Sequence, residues 1–157
     1  MTPNTKRRDF LKVALIMGLA GSTFATGLFA PRYVLAGWNR KAFESKHVND
    51  ALKNGFGSLD IVMSDNINIE APDIAANGAI VPVSVVAKLS AVEAIALLSE
   101  KNPRPLCAIF HPRAGIRPKM SVRIKMGQSG DVIAIVKSEG KLYMARRSIK
   151  VTAGGCA

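Results

Sequence analysis

The chain has 157 residues, 22 Lys and Arg against 11 Asp and Glu, a net charge of +11, 48% hydrophobic residues and two cysteines. That length holds one domain, and the apolar content excludes a disordered basic tail, because a chain this hydrophobic can bury a core. Two cysteines far apart exclude a disulfide-dense miniprotein and a zinc ribbon, while the basic excess suits a nucleic-acid or membrane-surface protein only if the charges sit in the folded domain.

Lys6-Arg7-Arg8-Asp9-Phe10-Leu11-Lys12 opens the chain, followed by an apolar run from Val13 to Ala30 diluted by Gly18, Gly21, Ser22, Thr23, Thr26 and Gly27. Paired Arg7 and Arg8 before Phe-Leu-Lys match a twin-arginine export signal, and the mild hydrophobicity separates it from a strongly apolar signal or a permanent anchor. An uncleaved anchor is the alternative, with a run near the lower limit for spanning a bilayer. Val34-Leu35-Ala36 offers small or modest residues for cleavage, and Pro31 opposes a cut after Ala30. The expected organisation is therefore a signal at 1–36, a helix and β-sandwich domain at 37–152, and a C-terminal arm at 153–157, in the periplasm. The signal removes a net +4, leaving +7 on the exported part, which is long enough for one core without staples. The twin-arginine route carries folded cargo, so its use implies a bound cofactor, fast folding or assembly with a partner before export.

Trp38, Ala42, Phe43, Val48, Ala51, Leu52 and Phe56 recur at spacings of three and four, which predicts one amphipathic helix from Trp38 to Phe56. Gly55-Phe56-Gly57-Ser58 ends it. Beyond it lie short β-rich runs divided by Gly, Pro, Asn and Asp: Asn66 to Glu70, Ile80 to Lys88, Val92 to Ser99, Leu106 to His111, Ser121 to Met126, Asp131 to Lys137 and Lys141 to Thr152. The fold class expected is all-β, an immunoglobulin-like sandwich preceded by one helix and followed by a flexible arm. Residues 132–136 and 142–145 flank Ser138-Glu139-Gly140, a hairpin pattern with a glycine available for positive φ. Val92 to Glu100 would also suit a helix, but its length and the Asn102-Pro103-Arg104-Pro105 breaker favour a strand. Pro82 places its strand at an edge or a bulge.

Little in the domain suggests resident chemistry. His47 and His111 are isolated, no Cys, His, Asp and Glu cluster has metal-ligand spacing, and no glycine-rich loop joins a strand to a helix. No nucleophile-elbow pattern is present. Arg113, Arg117, Lys119, Arg123 and Lys125 cluster in sequence, as do Lys141, Arg146, Arg147 and Lys150, without the interleaved aromatics that stack bases. They read as a solvated face or as attraction for small anions and acidic partners.

The end of the chain differs. Val151-Thr152-Ala153-Gly154-Gly155-Cys156-Ala157 runs from a strand into two glycines and a cysteine. Glycines remove both side-chain anchoring and backbone restriction, so Gly154 and Gly155 form a hinge, Cys156 rides on a tether reaching about 17 Å from Val151, and the arm is narrow enough to enter another protein's cleft. Cys107, in Leu106-Cys107-Ala108-Ile109-Phe110, reads instead as an inert packing thiol. A Cys107–Cys156 disulfide is the structural alternative, and it would immobilise the glycines for no packing gain.

These features together resemble the SoxY family, sulfur-carrier subunits of a periplasmic thiosulfate-oxidising complex. The resemblance rests on Glu70-Ala71-Pro72, Ala76-Asn77-Gly78-Ala79-Ile80-Val81-Pro82-Val83, Glu100-Lys101-Asn102-Pro103-Arg104-Pro105-Leu106, Gly140-Lys141-Leu142-Tyr143-Met144-Ala145 and the tail through Cys156. It implies a non-enzymatic carrier without a cofactor or metal, paired with a small SoxZ-like β-sandwich subunit. Sulfur intermediates, a thiosulfonate and then a persulfide, would be bound to Cys156. A thiosulfate-loading c-type cytochrome, a manganese hydrolase that releases sulfate and, in some systems, a sulfur dehydrogenase would act on them. Neither nucleic acid nor a stable membrane anchor is implied. The family tail usually reads Gly-Gly-Cys-Gly-Gly, whereas this chain has Gly-Gly-Cys-Ala, which bears on how the arm fits a partner's cleft. Two other readings are open: an exported homodimer held by a Cys156 disulfide, and an exported anion-binding module that uses the basic clusters.

Overall fold

The computed structural model describes residues 39–113 and 115–152. Arg7, Arg8 and the rest of the expected signal lie outside the described residues, as do Trp38 and the arm with Gly154, Gly155 and Cys156.

The single helix expected from Trp38 to Phe56 is two helices, α1 (Arg40–Glu44) and α2 (Val48–Phe56). The break is local chemistry. Ser45 turns extended, its hydroxyl donates to the Lys41 carbonyl (2.7 Å) and accepts from the Asn54 amide (3.0 Å), and His47 is also extended. A serine that bonds the preceding turn competes with the helix ladder, and here it also staples α1 to α2. Asn39 caps α1, accepting from the Ala42 N–H. At the other end, Gly57 takes φ +76° and donates to the Lys53 carbonyl, the glycine stop read from the sequence.

Two sheets follow. The larger runs in the order β1 (Ile61–Met63), β9 (Lys141–Val151), β8 (Gly130–Ser138), β5 (Val92–Ser99), β6 (Leu106–Phe110), with β3 (Ile74–Ala75) also on β9. The smaller is β2 (Ile67–Glu70), β4 (Val81–Ala87), β7 (Lys119–Ile124). The all-β sandwich is as expected. The two strands absent from the sequence reading, β1 and β3, have three and two residues and pair parallel with distant parts of β9, too short to show a period of two. Strand β7 begins two residues earlier than expected because Lys119 pairs with Val86, while Met126 leaves the ladder to donate to the Gly78 carbonyl (2.7 Å).

Pairing of β8 with β9 is unbroken from Gly130↔Ile149 to Ser138↔Lys141. Its two-residue turn has φ +50° at Glu139 and +74° at Gly140, the left-handed pair whose twist matches a hairpin. Pro82 corrects an expectation: β4 is the central strand of its sheet, not an edge. Its partner β2 stops at Glu70↔Ser84, so Pro82 is paired only with Arg123 of β7, and the missing N–H costs no bond on the other side.

Side chains of Ile95, Leu97, Val132, Ala134, Val136 and Ile149 face Ile67, Ile69, Val81, Val83, Val85 and Ile124 to form the core between sheets. On the other face of the large sheet, Ala96, Leu98, Ile133, Ile135 and Leu142 pack against Ala42, Ala51 and Leu52 of the helices. Arg147 of β9 ties the sheets at their margin, donating to the Ile69 carbonyl (3.2 Å) and pairing with Asp73 (2.8 Å).

Candidate functional site

Strand β9 is the route to the arm, and it is held on both sides until its last residue. On one side Lys150 N–H donates to the Asp73 carbonyl (2.9 Å) and Thr152 N–H to the Ala75 carbonyl (3.1 Å). On the other, Val151 N–H donates to Ser129 Oγ (2.9 Å), and that hydroxyl donates back to the Val151 carbonyl (3.3 Å). Gly78 packs beneath. A methyl group there would lie 2.8 Å from Val151 Cγ1 and inside contact distance of the Met126 carbonyl oxygen, so only glycine lets the 76–79 turn, the 125–127 segment and β9 meet. Sequence reasoning had no access to this clamp. Ser129, Asp73 and Gly78 are ordinary loop residues until the fold brings them around Val151.

From Thr152 the chain needs four steps to Cys156, about 14 Å at full extension. Gly154, Gly155 and Cys156 thus begin just beyond a rigid root. The second thiol is of another kind. Cys107 is free and half-buried on β6, and its sulfur donates to the Pro105 carbonyl (3.4 Å). Burial pushes its pKa up, only partly offset by hydrogen bonding to the Ser99 backbone and the Asn102 side chain. Since the thiolate is the nucleophile, such a group reacts slowly at neutral pH.

Of the two basic clusters read from the sequence, the one in β9 comes apart in the fold. A period of two puts Arg146 and Lys150 on the helix-bearing face of β9 and Arg147 on the other. Arg146 is 3.8 Å from Asp131, and Arg147 is paired with Asp73. Lys119 and Arg123 project from the outer face of the small sheet, with Arg113 and Arg117 in the exposed loop before it. His47 heads α2 and His111 rests against the Glu93 carbonyl (3.2 Å), both exposed and on separate elements. No group of three His, Cys, Asp or Glu is placed to hold a metal among the described residues.

The described domain is a β-sandwich whose last strand is held as far as Thr152, with Ala153, Gly154, Gly155 and Cys156 next in the sequence. Residues 52–156 match the family described as "Sulfur oxidation protein SoxY", and the chain belongs to that family. Its fold is similar to that of the sulfur carrier protein SoxY from Chlorobium limicola f thiosulfatophilum, at 38% identity and a TM-score of 0.61, over 66% of this chain and 94% of that one. No curated protein matches.

Proposed function

We propose that this chain is a covalent sulfur carrier in periplasmic thiosulfate oxidation, with Cys156 as the attachment site and Gly154 and Gly155 as its hinge. The observation that carries the reading is that the family match runs through residue 156, beyond the last clamp at Thr152, so that the thiol starts from a fixed root with about 14 Å of reach. The similar Chlorobium protein bears the description of a sulfur carrier.

The chemistry divides between this chain and its partners. Loading joins the Cys156 sulfur to the terminal sulfur of thiosulfate: Cys–SH + S₂O₃²⁻ gives Cys–S–S–SO₃⁻ + H⁺ + 2 e⁻, the electrons going to a c-type cytochrome. Hydrolysis by a manganese enzyme then breaks the bond to the sulfonate, with water giving sulfate, two protons and the persulfide Cys–S–S⁻. This chain supplies the sulfur atom, the length of arm and the rigid root. It needs no cofactor of its own, and a SoxZ-like sandwich subunit completes the particle. Arg7 and Arg8 direct export to the periplasm.

Intact-mass measurement tests the assignment. Incubation with thiosulfate and an oxidising thiosulfate-loading cytochrome is expected to add S₂O₃ once per chain. Cys156→Ser is expected to abolish the adduct, and Cys107→Ser to leave it, because the Cys107 thiol is half-buried and its pKa is pushed up by desolvation. Loading that persists in Cys156→Ser, or is lost in Cys107→Ser with the fold intact, overturns it.

A further inference from the structure

Lys46, Asn102, Pro103, Arg104, Lys125 and Gly127 line an open depression of about 730 Å³. Three of the six are cations and none is an acid. All three cations are exposed, and none is ion-paired with any described residue. Lys46 comes from the break between the helices, Arg104 from the turn between β5 and β6, and Lys125 from the residue just after β7. The wall is built: Asn102 Nδ2 donates to the Lys125 carbonyl (2.6 Å), and Asn102 Oδ1 accepts from the Gly127 N–H (3.1 Å). One side-chain amide thus fixes both lining residues that flank Met126.

The same segment touches the root of the arm. Met126 donates to the Gly78 carbonyl, and Gly78 is packed against both Met126 and Val151. The wall of the depression and the end of β9 therefore meet across one glycine, and Cys156 follows Thr152 by four residues, about 14 Å of chain at full extension. A thiosulfonate on that sulfur ends in SO₃⁻, a permanent anion with three acceptor oxygens. Two ammonium groups and a guanidinium supply matching donors, and charge-assisted hydrogen bonds to such oxygens are the stronger kind.

We propose that this depression is an anion site that receives the sulfonate end of the adduct carried on Cys156, drawing the loaded arm back onto the domain. The proposal rests on Cys156 being the carrier thiol. Tethering supplies an effective concentration in the millimolar range, so the site binds its own cargo while weak for the free ion. Release of sulfate removes the three oxygens the site holds, and the arm is freed at that step.

Chemical loading tests this without any enzyme. The Cys156–thionitrobenzoate mixed disulfide of the purified chain is displaced by thiosulfate, giving Cys–S–S–SO₃⁻ and free thionitrobenzoate, with mass spectrometry confirming a single site. The backbone amide resonances of Asn102, Arg104 and Gly127 are expected to move relative to a control whose Cys156 is capped with neutral iodoacetamide. The shifts are expected to fade as salt is raised and to vanish in Arg104→Gln/Lys125→Gln, with the remaining spectrum unchanged. Identical spectra for the charged and neutral adducts at these residues overturn the proposal, and no variant is needed for that comparison. Free thiosulfate added to Cys156→Ser should give the same shifts only at millimolar concentration; saturation at a few micromolar would make this a site for the free anion and overturn docking of the arm. Because loading is chemical, failure here leaves enzymatic loading of Cys156 standing, and failure of enzymatic loading leaves this result interpretable.

Discussion

The two sheets bury their strands in different ways. In the large sheet, β5 is buried without interruption from Ala94 to Ser99 and β8 from Val132 to Val136, because the small sheet covers one face and the helices the other. In the small sheet, β2 and β4 alternate: Ile67, Ile69, Val81, Val83 and Val85 point inward, while Asn68, Glu70 and Pro82 face water. A strand covered on both faces reads as a continuous apolar run, and one covered on a single face reads as alternation. The helical look of residues 92–100 comes from this. Continuous burial removes the period of two that would have marked a strand.

The sharpest way to break that comparison is to truncate both faces of β5. Leu97 faces the small sheet and Leu98 the helices, and both are fully buried, so Leu97→Ala and Leu98→Ala are each expected to cost about 2–5 kcal/mol in urea unfolding. Val86→Thr, on the outer face of β4, should stay within about 0.5 kcal/mol. A harmless Leu98→Ala would mean that the helices do not complete the core. Next in size is Gly78→Ala, at the joint between the sheets. Its new methyl meets a backbone carbonyl rather than a yielding side chain, so a loss of about 1–3 kcal/mol is expected, together with faster hydrogen exchange at Val151 and Thr152.

The smallest effect concerns the exposed margin of the large sheet. Glu93 of β5 accepts from Lys137 (2.8 Å) and from the Gly140 N–H (2.8 Å), which hold its carboxyl below the usual carboxylate range. A depressed pKa means the folded state favours the ionised form. The contribution is therefore present above the ordinary carboxylate value and lost as pH falls through the depressed one. The melting temperature of Glu93→Gln is expected to lie slightly below that of the parent at pH 7 and to converge with it in strong acid. A gap that widens in acid would reverse the sign.

Seven of the nine strands among the described residues were legible from composition and turn residues, and so was the hairpin at Glu139-Gly140, because these are local matters. The helix break was not, since the Ser45 hydroxyl acts through Lys41 and Asn54, the latter reached only once α2 folds back. Pro82 was misplaced because a short partner, not a position at the sheet margin, leaves it unpaired on one side. The basic residues fared worst. The cluster in β9 was split between its two faces by the strand period, whereas Lys46, Arg104 and Lys125, distant in sequence, share one depression.

Of the opening charge of +11, the sequence alone shows that +4 belongs to the expected export segment. It also sets apart the two thiols and the glycines before Cys156, because an arm without side chains is a property of composition. Only the tertiary structure decided how the strand before that segment is held, through Ser129, Gly78 and β3, and which cations share one depression. Those depend on long-range pairing and on which loops close beside β9, and neither follows from any local run of residues.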